Sequence, residues 1–205
     1  MRTTLLIRGP PPAPYRPPAS GSAVPRQVVE GVQRLVDGMG PRTAVADRIL
    51  LSAMDGYRPE GDWKQRVTAV ALRVREAFGR HPQLAAVWGR YASGGTGSRL
   101  VMEELLQALS TSGLPDEEIP ARYHRLAVLV AALVASEAAI GTAPPPEREQ
   151  GLELFRVAVF GADPAHFPAL TRFGRDILPL GAERAPAFEE ILAAQLADVE
   201  ATIAR

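Results

Sequence analysis

The feature that most constrains the fold is a long apolar segment in the middle of the chain, residues 119–140. Its first turns are amphipathic, with Tyr123 and Leu126 on one side, and its second half is apolar on nearly every side. A proline followed by three acidic residues precedes it, and this pattern indicates a helix start because carboxylates face the positive end of the helix dipole. A helix that is apolar all round has to be buried on two faces. One face can meet its own domain and the other a second subunit.

Helical signals continue on the N-terminal side of this segment. Asp62 is a good N-cap for an apolar stripe with helical spacing, and the stripe ends before Arg80-His81-Pro82. Pro82 starts a further helix, and glycines separate that helix from one that runs from about Ser98 to Ser112-Gly113. No segment alternates polar and apolar residues over a useful length, so the predicted class is all-α. The stripe consists of Trp63, Val67, Val70, Val74 and Phe78.

The C-terminal part of the chain contains two further predicted helices. Apolar residues mark one over 152–160, and the last helix is expected from about Ala185 to the end of the chain. Between them, residues 162–184 are expected to be irregular, with one short helix near 166–173. Alanines beside the apolar stripe of the last helix permit the close approach of another helix.

The chain divides into three predicted segments. Residues 1–24 are rich in Pro, Gly and Ser and are expected to form a disordered tail. Residues 25–58 are expected to form short helices, the second of them capped by Thr43, and residues 59–205 form the helical domain. The apolar side of that second short helix consists of Val45, Ile49, Leu50 and Ala53.

The formal net charge is zero, but the charge is unevenly spread. Residues 1–58 contain eight Arg against four acidic residues, which gives +4, and the rest of the chain therefore carries −4. A basic end can approach phosphates. The alternative is that Arg is simply the common basic residue here, since Lys64 is the only lysine.

Composition and motifs exclude several classes of function. The absence of Cys removes disulfides, thiolate zinc sites and thiol nucleophiles. The three histidines, at 81, 124 and 166, lack a metal-binding spacing, so neither a metal nor a cofactor is expected. No G-x-S-x-G, P-loop or dinucleotide motif is present, so the chain is not expected to be an enzyme. The longest apolar run, residues 126–140, is shorter than the roughly 20 residues that cross a bilayer, which favours a cytoplasmic protein without a membrane partner.

The order and spacing of these elements resemble the C-terminal domain of TetR-family transcriptional regulators. The resemblance extends from Asp62 to Arg205, about 70% of the chain. The matching elements are the helix that opens with Asp62-Trp63 and ends in Arg80-His81-Pro82, the glycine-broken turn and helix at 97–106 closed by Ser112-Gly113-Leu114, the long helix after Pro115-Asp116-Glu117-Glu118, and Ala187-Phe188-Glu189-Glu190-Ile191-Leu192.

The resemblance implies an apolar or amphiphilic effector bound between helices. It also implies a homodimer in which the long helix and the last helix pack with their copies into a four-helix bundle. The candidate ligand-binding residues are Val70, Val74, Trp88, Tyr91, Met102, Leu106, Tyr123 and His124. The candidate dimer-interface residues are Val130, Leu133, Val134, Glu137, Leu192, Leu196 and Val199. As an acid inside an apolar run, Glu137 is expected to pair with an Arg or to face a pocket or the dimer seam.

The N-terminal region departs from the family pattern. Members of the family carry an N-terminal helix-turn-helix, whose recognition helix needs side chains that reach base edges. Residues 1–58 show no such segment, and about three residues separate the two short helices, which leaves no room for the missing ones. One hypothesis is that the coding sequence upstream is truncated or read out of frame. The predicted function is therefore a TetR-like regulator, either repressor or activator, that binds operator DNA only if a helix-turn-helix exists; the alternative is a ligand-binding or heterodimerisation module without DNA-binding activity.

Overall fold

Eight helices make up the described part of the chain, which comprises residues 41–85, 88, 94–182 and 187–204 of this computed structural model. No strand occurs among these residues, and the predicted all-α class is confirmed. The predicted N-terminal tail, the helix expected from residue 25 and Tyr91 lie outside the described residues. The helices are α1 (Pro41–Ala53), α2 (Trp63–Gly79), α3 (Pro82–Ala85), α4 (Thr96–Ser110), α5 (Ile119–Thr142), α6 (Pro145–Phe160), α7 (Pro168–Ala182) and α8 (Ala187–Ile203).

α1 belongs to the same hydrophobic core as the later helices and packs against α2 and α4. Its buried face has the helical spacing of an amphipathic surface helix, and it consists of Ala46, Ile49, Leu50 and Ala53. The prediction that Val45 lies on this face is wrong. Its side chain is 48% exposed, because the face is centred on the residue that follows it.

The start of α2 is fixed at Asp62, the predicted N-cap, by a capping box with Gln65. Asp62 Oδ1 accepts a hydrogen bond from the Gln65 backbone N–H at 2.9 Å, and Gln65 Oε1 accepts one from the Asp62 backbone N–H at 2.9 Å. The apolar stripe that follows faces the core, where Val67 and Phe78 are fully buried. The predicted helix start is confirmed.

The long helix α5 lies in the middle of the domain and packs against α2, α3, α4 and α8. Leu126, Val130, Val134 and Ala138 form its buried face. α5 is the one described helix that is long and apolar enough to cross a membrane, with a mean hydropathy of 1.6 over its most apolar window. It is longer than the run counted in the sequence, because the helix begins at Ile119 and continues to Thr142. Only 22% of that window is buried within this chain, so the chain covers one face of the helix.

α6 and α7 correct the prediction for the C-terminal part. α6 begins at Pro145 rather than at 152, since proline is accepted in a first turn. α7 is a helix of 15 residues in a region expected to be irregular. It continues through Gly174, where a Cβ would lie 2.5 Å from Cγ1 of Val159 on α6. The glycine is thus a close-packing position and not a break.

The α6–α7 hairpin, residues 145–182, packs mainly on itself. On α6, Val159 is the only residue with a buried side chain. The hairpin leaves many large apolar side chains exposed: Leu152, Leu154, Phe155, Val157, Phe160, Phe167, Phe173 and Ile177.

Polar contacts connect helices that are distant in sequence. Arg122 on α5 is 8% exposed and donates to Asp198 at 2.5 Å and to Thr202 at 2.6 Å, both on α8. Arg75 on α2 donates twice to the Glu137 carboxylate on α5, at 2.8 Å each. The expected Arg partner of Glu137 is therefore present.

A second polar cluster joins the loop after α1 to α2 and α4. Glu104, 8% exposed, accepts from Arg66 Nε at 2.8 Å and from the Tyr57 hydroxyl at 2.9 Å. Burial, and after it the hydrogen bond to Glu104, raises the pKa of Tyr57 to about 12. The phenol is therefore a neutral donor at any physiological pH.

Candidate ligand-binding cavity

A cavity of about 350 Å³ lies between α1, α2, α4 and α5. This volume is at the lower end of the roughly 300–1,000 Å³ that is usual for small-molecule sites. Fifteen of the described residues line it: Leu50, Val70, Ala71, Val74, Trp88, Ser98, Val101, Met102, Leu105, Tyr123, Leu126, Ala127, Val128, Val130 and Ala131.

The inner wall of the cavity is formed by buried apolar side chains of α2. The side chains of Val70 and Val74 are only 1% and 2% exposed. Next to them, the Trp88 ring stacks on Phe78 with ring centroids 4.2 Å apart and planes 25° apart. The wall is therefore preformed and fixed by the core.

The rim of the cavity is formed by α4 and α5. Met102 on α4 is 39% exposed and Val128 on α5 is 54% exposed, although both line the cavity. Met side chains adapt their shape readily. A ligand can therefore enter between these two helices without a large rearrangement of the inner wall.

Few polar groups reach the cavity. Among the described lining residues none carries a charge, and the polar side-chain groups are the Ser98 and Tyr123 hydroxyls and the Trp88 indole N–H. Burial raises the pKa of Tyr123, so its hydroxyl stays neutral. The described lining, with many apolar side chains and few polar groups, has the composition that is usual for small-molecule binding sites.

α1 and α4 meet beside the cavity in an unusually close contact. The buried carboxylate of Asp47 on α1 accepts from the backbone N–H groups of Gly97, at 3.2 Å, and Ser98, at 2.9 Å. Gly95, the N-cap residue of α4, offers no side-chain cap, so Asp47 supplies the cap from another helix. A Cβ on Gly97 would lie 2.2 Å from the Asp47 backbone oxygen and 2.4 Å from the Leu51 backbone nitrogen. Only glycine allows the two helices to come this close.

Five of the eight candidate ligand-binding residues line this cavity, namely Val70, Val74, Trp88, Met102 and Tyr123. Leu106 does not, and it packs instead against a second cluster around Leu109. His124 is exposed, since it is one residue beyond the inward-facing Tyr123 and a helix turns by about 100° per residue. Whether any of these residues contacts an effector stays a prediction.

Sequence reasoning missed several lining residues. Leu50 was placed in the N-terminal region, because nothing local shows that α1 folds against α4. Ser98 was read only as a helix start. Small residues such as Ala127 and Ala131 carry no signal that separates a cavity wall from ordinary packing.

Whether the candidate dimer residues lie at an interface stays a prediction. Val130, Val134, Leu192, Leu196 and Val199 are at most 6% exposed inside this single chain, so their side chains are covered by their own core. Leu133 packs against the same core, and Glu137 is bound by Arg75. The apolar stripes that the sequence revealed on the long and last helices are thus the inward faces.

Small side chains occupy several of the exposed positions on these two helices, beside larger and charged ones. On α5 the exposed positions include Ala121, Val128, Ala132, Ser136 and Ala139. On α8 they include Ala193, Ala194, Ala197 and Ala201. Such surfaces let the backbone of another helix approach closely.

Comparisons with known proteins agree with this architecture. The sequence profile of the family described as tetracyclin repressor-like, C-terminal domain matches residues 56–203. A solved structure of a candidate transcriptional regulator from Streptomyces coelicolor A3(2) is 66% identical, with a TM-score of 0.63 over 78% of this chain and 74% of that chain. A TetR regulator from Streptomyces coelicolor is 21% identical, with a TM-score of 0.63 over 78% of this chain and 75% of that chain.

A third structure, a candidate TetR-family regulator from Streptomyces coelicolor A3(2), is 22% identical, with a TM-score of 0.61 over 78% of this chain and 76% of that chain. At 21% and 22% identity the likeness concerns the fold alone. A comparison with functionally curated proteins gives no match. The match of the family profile to most of the chain is decisive: this protein belongs to the TetR family of transcriptional regulators, through its C-terminal domain.

Proposed function

We propose that this chain is a non-enzymatic, cytoplasmic regulator whose helical domain binds a small apolar or amphiphilic effector and forms a homodimer. The observation that carries the proposal is the cavity of about 350 Å³, which is preformed by core residues and open between α4 and α5. Pockets of this kind, mostly apolar with a few polar groups, are typical of small-molecule sites.

The contacts around the cavity suggest how a bound effector acts on the rest of the chain. Leu50 of α1 and Ser98 of α4 both line the cavity, and Asp47 ties α1 to the first turn of α4. An effector that prefers one position of α4 also selects one position of α1. α1 leads back towards the N-terminal region, where members of this family carry their DNA-reading helices.

Effector binding at the cavity is tested with the full chain and N-phenyl-1-naphthylamine, a neutral probe that fluoresces in apolar surroundings. We expect saturable binding that Ala131→Phe weakens by about tenfold or more, because the new ring fills the cavity. Ala165→Phe, in the exposed turn after α6, is the matched control and leaves binding unchanged. Equal binding by wild type and Ala131→Phe, with circular dichroism showing both to be folded, would refute the proposal.

Homodimerisation is supported by the small exposed side chains on the outer faces of α5 and α8. Ala197→Arg places a charge in the middle of that α8 face, and a buried unpaired charge is costly. We expect sedimentation equilibrium to show a dimer for wild type and for Ser52→Arg, an exposed small residue of α1, and a monomer for Ala197→Arg. A dimer that survives Ala197→Arg, or a monomeric wild type, would contradict this interface.

DNA binding by this chain distinguishes the proposed regulator from the alternative function. A gel-shift titration of the full chain on the DNA upstream of its own gene should give an affinity that falls steeply with salt, because bound Arg side chains displace counterions from phosphates. Absence of any salt-dependent shift would favour the alternative function, a binding or heterodimerisation module without DNA-binding activity.

A further inference from the structure

We infer that the cavity selects compact, uncharged effectors that carry one hydrogen-bond acceptor, and that the Tyr123 hydroxyl is the donor that selects them. The inference rests on the proposed function, because it names the chemical class of ligand at the same site. The volume of about 350 Å³ limits the effector to a compact molecule. Two further observations indicate its chemistry: the absence of charge on the described lining and the unused donors there.

The first observation concerns charge. All described side chains that line the cavity are neutral. The nearby ionised groups are already engaged: Asp47 caps α4, and Glu104 is bound by Arg66 and Tyr57. An ionised ligand group would lose its hydration without gaining a counter-charge from these residues, and that loss is large. The lining therefore disfavours carboxylates, sulfonates and ammonium groups.

The second observation concerns hydrogen bonding. The Tyr123 hydroxyl, the Ser98 hydroxyl and the Trp88 indole N–H have no hydrogen-bond partner among the described residues. No side-chain nitrogen or oxygen that is sealed from solvent lacks a partner in the described part of the chain. The half-buried Tyr123 hydroxyl therefore opens onto accessible space beside the cavity that its ring lines.

Tyr123 is chosen among these groups because its ring packs against both hydrophobic clusters, which hold it at the cavity wall. All three are donors, and the indole N–H can do nothing else. Burial keeps the Tyr123 phenol protonated. A ligand with a carbonyl, ester or ether oxygen satisfies this donor, whereas a pure hydrocarbon displaces water from it and gives nothing in return.

The charge requirement is tested with a matched pair of fluorescent probes. N-phenyl-1-naphthylamine and 8-anilino-1-naphthalenesulfonate share one skeleton and differ by a sulfonate. Because the anion also binds exposed apolar surfaces, only its ability to displace the neutral probe is scored. We expect the anion to compete at least about 100-fold more weakly, since an unpaired anionic group is costly to bury. Competition at similar concentrations would overturn the inference.

The acceptor requirement is tested with 2-acetylnaphthalene and 2-ethylnaphthalene, which differ only by a carbonyl in place of a methylene. Their ability to displace the neutral probe gives a ratio of affinities for each protein. Tyr123→Phe should lower the ratio of ketone to hydrocarbon affinity by about three- to tenfold, the worth of one neutral hydrogen bond. The fold should survive, because the Tyr123 hydroxyl has no partner to lose.

Tyr57→Phe is the matched control, since Tyr57 does not line the cavity and donates to Glu104 instead. Its ratio should equal that of wild type. An unchanged ratio in Tyr123→Phe, or an equal fall in Tyr57→Phe, would overturn the role of Tyr123. Failure of the neutral probe to bind would overturn the proposed function and this inference with it, whereas binding without charge or acceptor preference would overturn the inference alone.

Discussion

Around the cavity, Phe78 and Leu192 are at most 1% exposed, whereas in the α6–α7 hairpin Leu154 and Phe160 are 63% and 58% exposed. The two regions use similar side chains at similar helical spacing. The difference lies in what covers these side chains. In the core, α1, α2, α4, α5 and α8 pack against one another, whereas each helix of the hairpin packs mainly on the other.

This contrast shows that helical periodicity in a sequence identifies the apolar face of a helix but does not identify the element that covers that face. Large exposed apolar patches on a soluble protein mark interaction sites. The proposed homodimer supplies a cover, since the outer faces of α5 and α8 and the hairpin would all lie against a second copy. Substitutions in the core should therefore change the stability of the single chain, and substitutions in the hairpin should change the stability of the dimer.

The largest expected effect comes from a matched pair of leucines. Leu192→Ala should lower the free energy of unfolding by about 3–5 kcal/mol, because Leu192 is 1% exposed and its loss leaves a cavity. Leu154→Ala should lower it by less than about 0.5 kcal/mol, and should instead raise the dimer dissociation constant. Urea unfolding and sedimentation equilibrium separate the two quantities; similar unfolding losses would show that the hairpin is as well covered as the core.

The second largest effect on the free energy of unfolding is expected from two ion pairs, one in the core and one on the hairpin. Glu104→Gln breaks a pair with Arg66 whose side chains are 10% and 14% exposed, and should cost about 2–4 kcal/mol of unfolding free energy. Glu153→Gln breaks the pair with Arg156 on the hairpin, where both side chains are 60% exposed, and should cost less than about 0.5 kcal/mol. Both ion pairs have N–O distances of 2.8 Å, so equal costs would mean that burial does not decide their worth.

Alanine substitutions at two glycines should change the free energy of unfolding by smaller amounts, and in opposite directions. Gly97→Ala should cost about 1–3 kcal/mol, because its Cβ would press on the backbone of α1. Gly151→Ala on α6 should gain about 0.5–1 kcal/mol, since a Cβ there meets nothing within 4 Å and alanine is the better helix former. The midpoints of thermal unfolding should therefore move in opposite directions; a loss in both would mean that the hairpin is packed where it looks open.

The smallest expected effect is in the dependence of stability on pH. Burial raises the folded-state pKa of Tyr57 to about 12, so its stabilising contribution is complete below about pH 10 and is lost as the pH rises towards 12. In the turn after α6, the hydrogen bond from the Ala165 N–H, and after it the one from His166, lowers the pKa of Asp163. That contribution is present above about pH 4 and is lost as the pH falls further.

Urea midpoints measured from pH 3 to pH 11 separate these two contributions. Tyr57→Phe should flatten the alkaline limb and leave the acid limb unchanged, and Asp163→Asn should do the reverse. A change in the same limb for both variants would contradict the assignment of one limb to each region.

Much of the fold could be predicted because its signals are local. The cap at Asp62, the proline at the start of α3 and the acids before α5 each act within one turn of chain, and the structure confirms the helices that they start. Val70, Val74 and Tyr123 could be predicted as cavity residues for a related reason, since they lie on the inward sides of their helices.

What could not be predicted depends on contacts between residues far apart in sequence. Residues 162–184 were expected to be mostly irregular, although α7 continues there through Gly174, which lies against Val159. Leu50 was assigned to the N-terminal region, although it lines the cavity. The candidate dimer residues Val130, Val134, Leu192, Leu196 and Val199 are buried within the chain itself. Their apolar pattern could not show this, because Leu and Val give the same pattern whichever element covers them.

The cap that Asp47 provides has a consequence for hydrogen exchange. The Gly97 and Ser98 amides at the start of α4 are protected only while α1 stays in place, because their acceptor belongs to α1. Their amide protons should therefore exchange with deuterium at the opening rate of α1, some 50 residues earlier in the chain, and not at the fraying rate of a helix end. α1 and the first turn of α4 would then open and close as one cooperative unit.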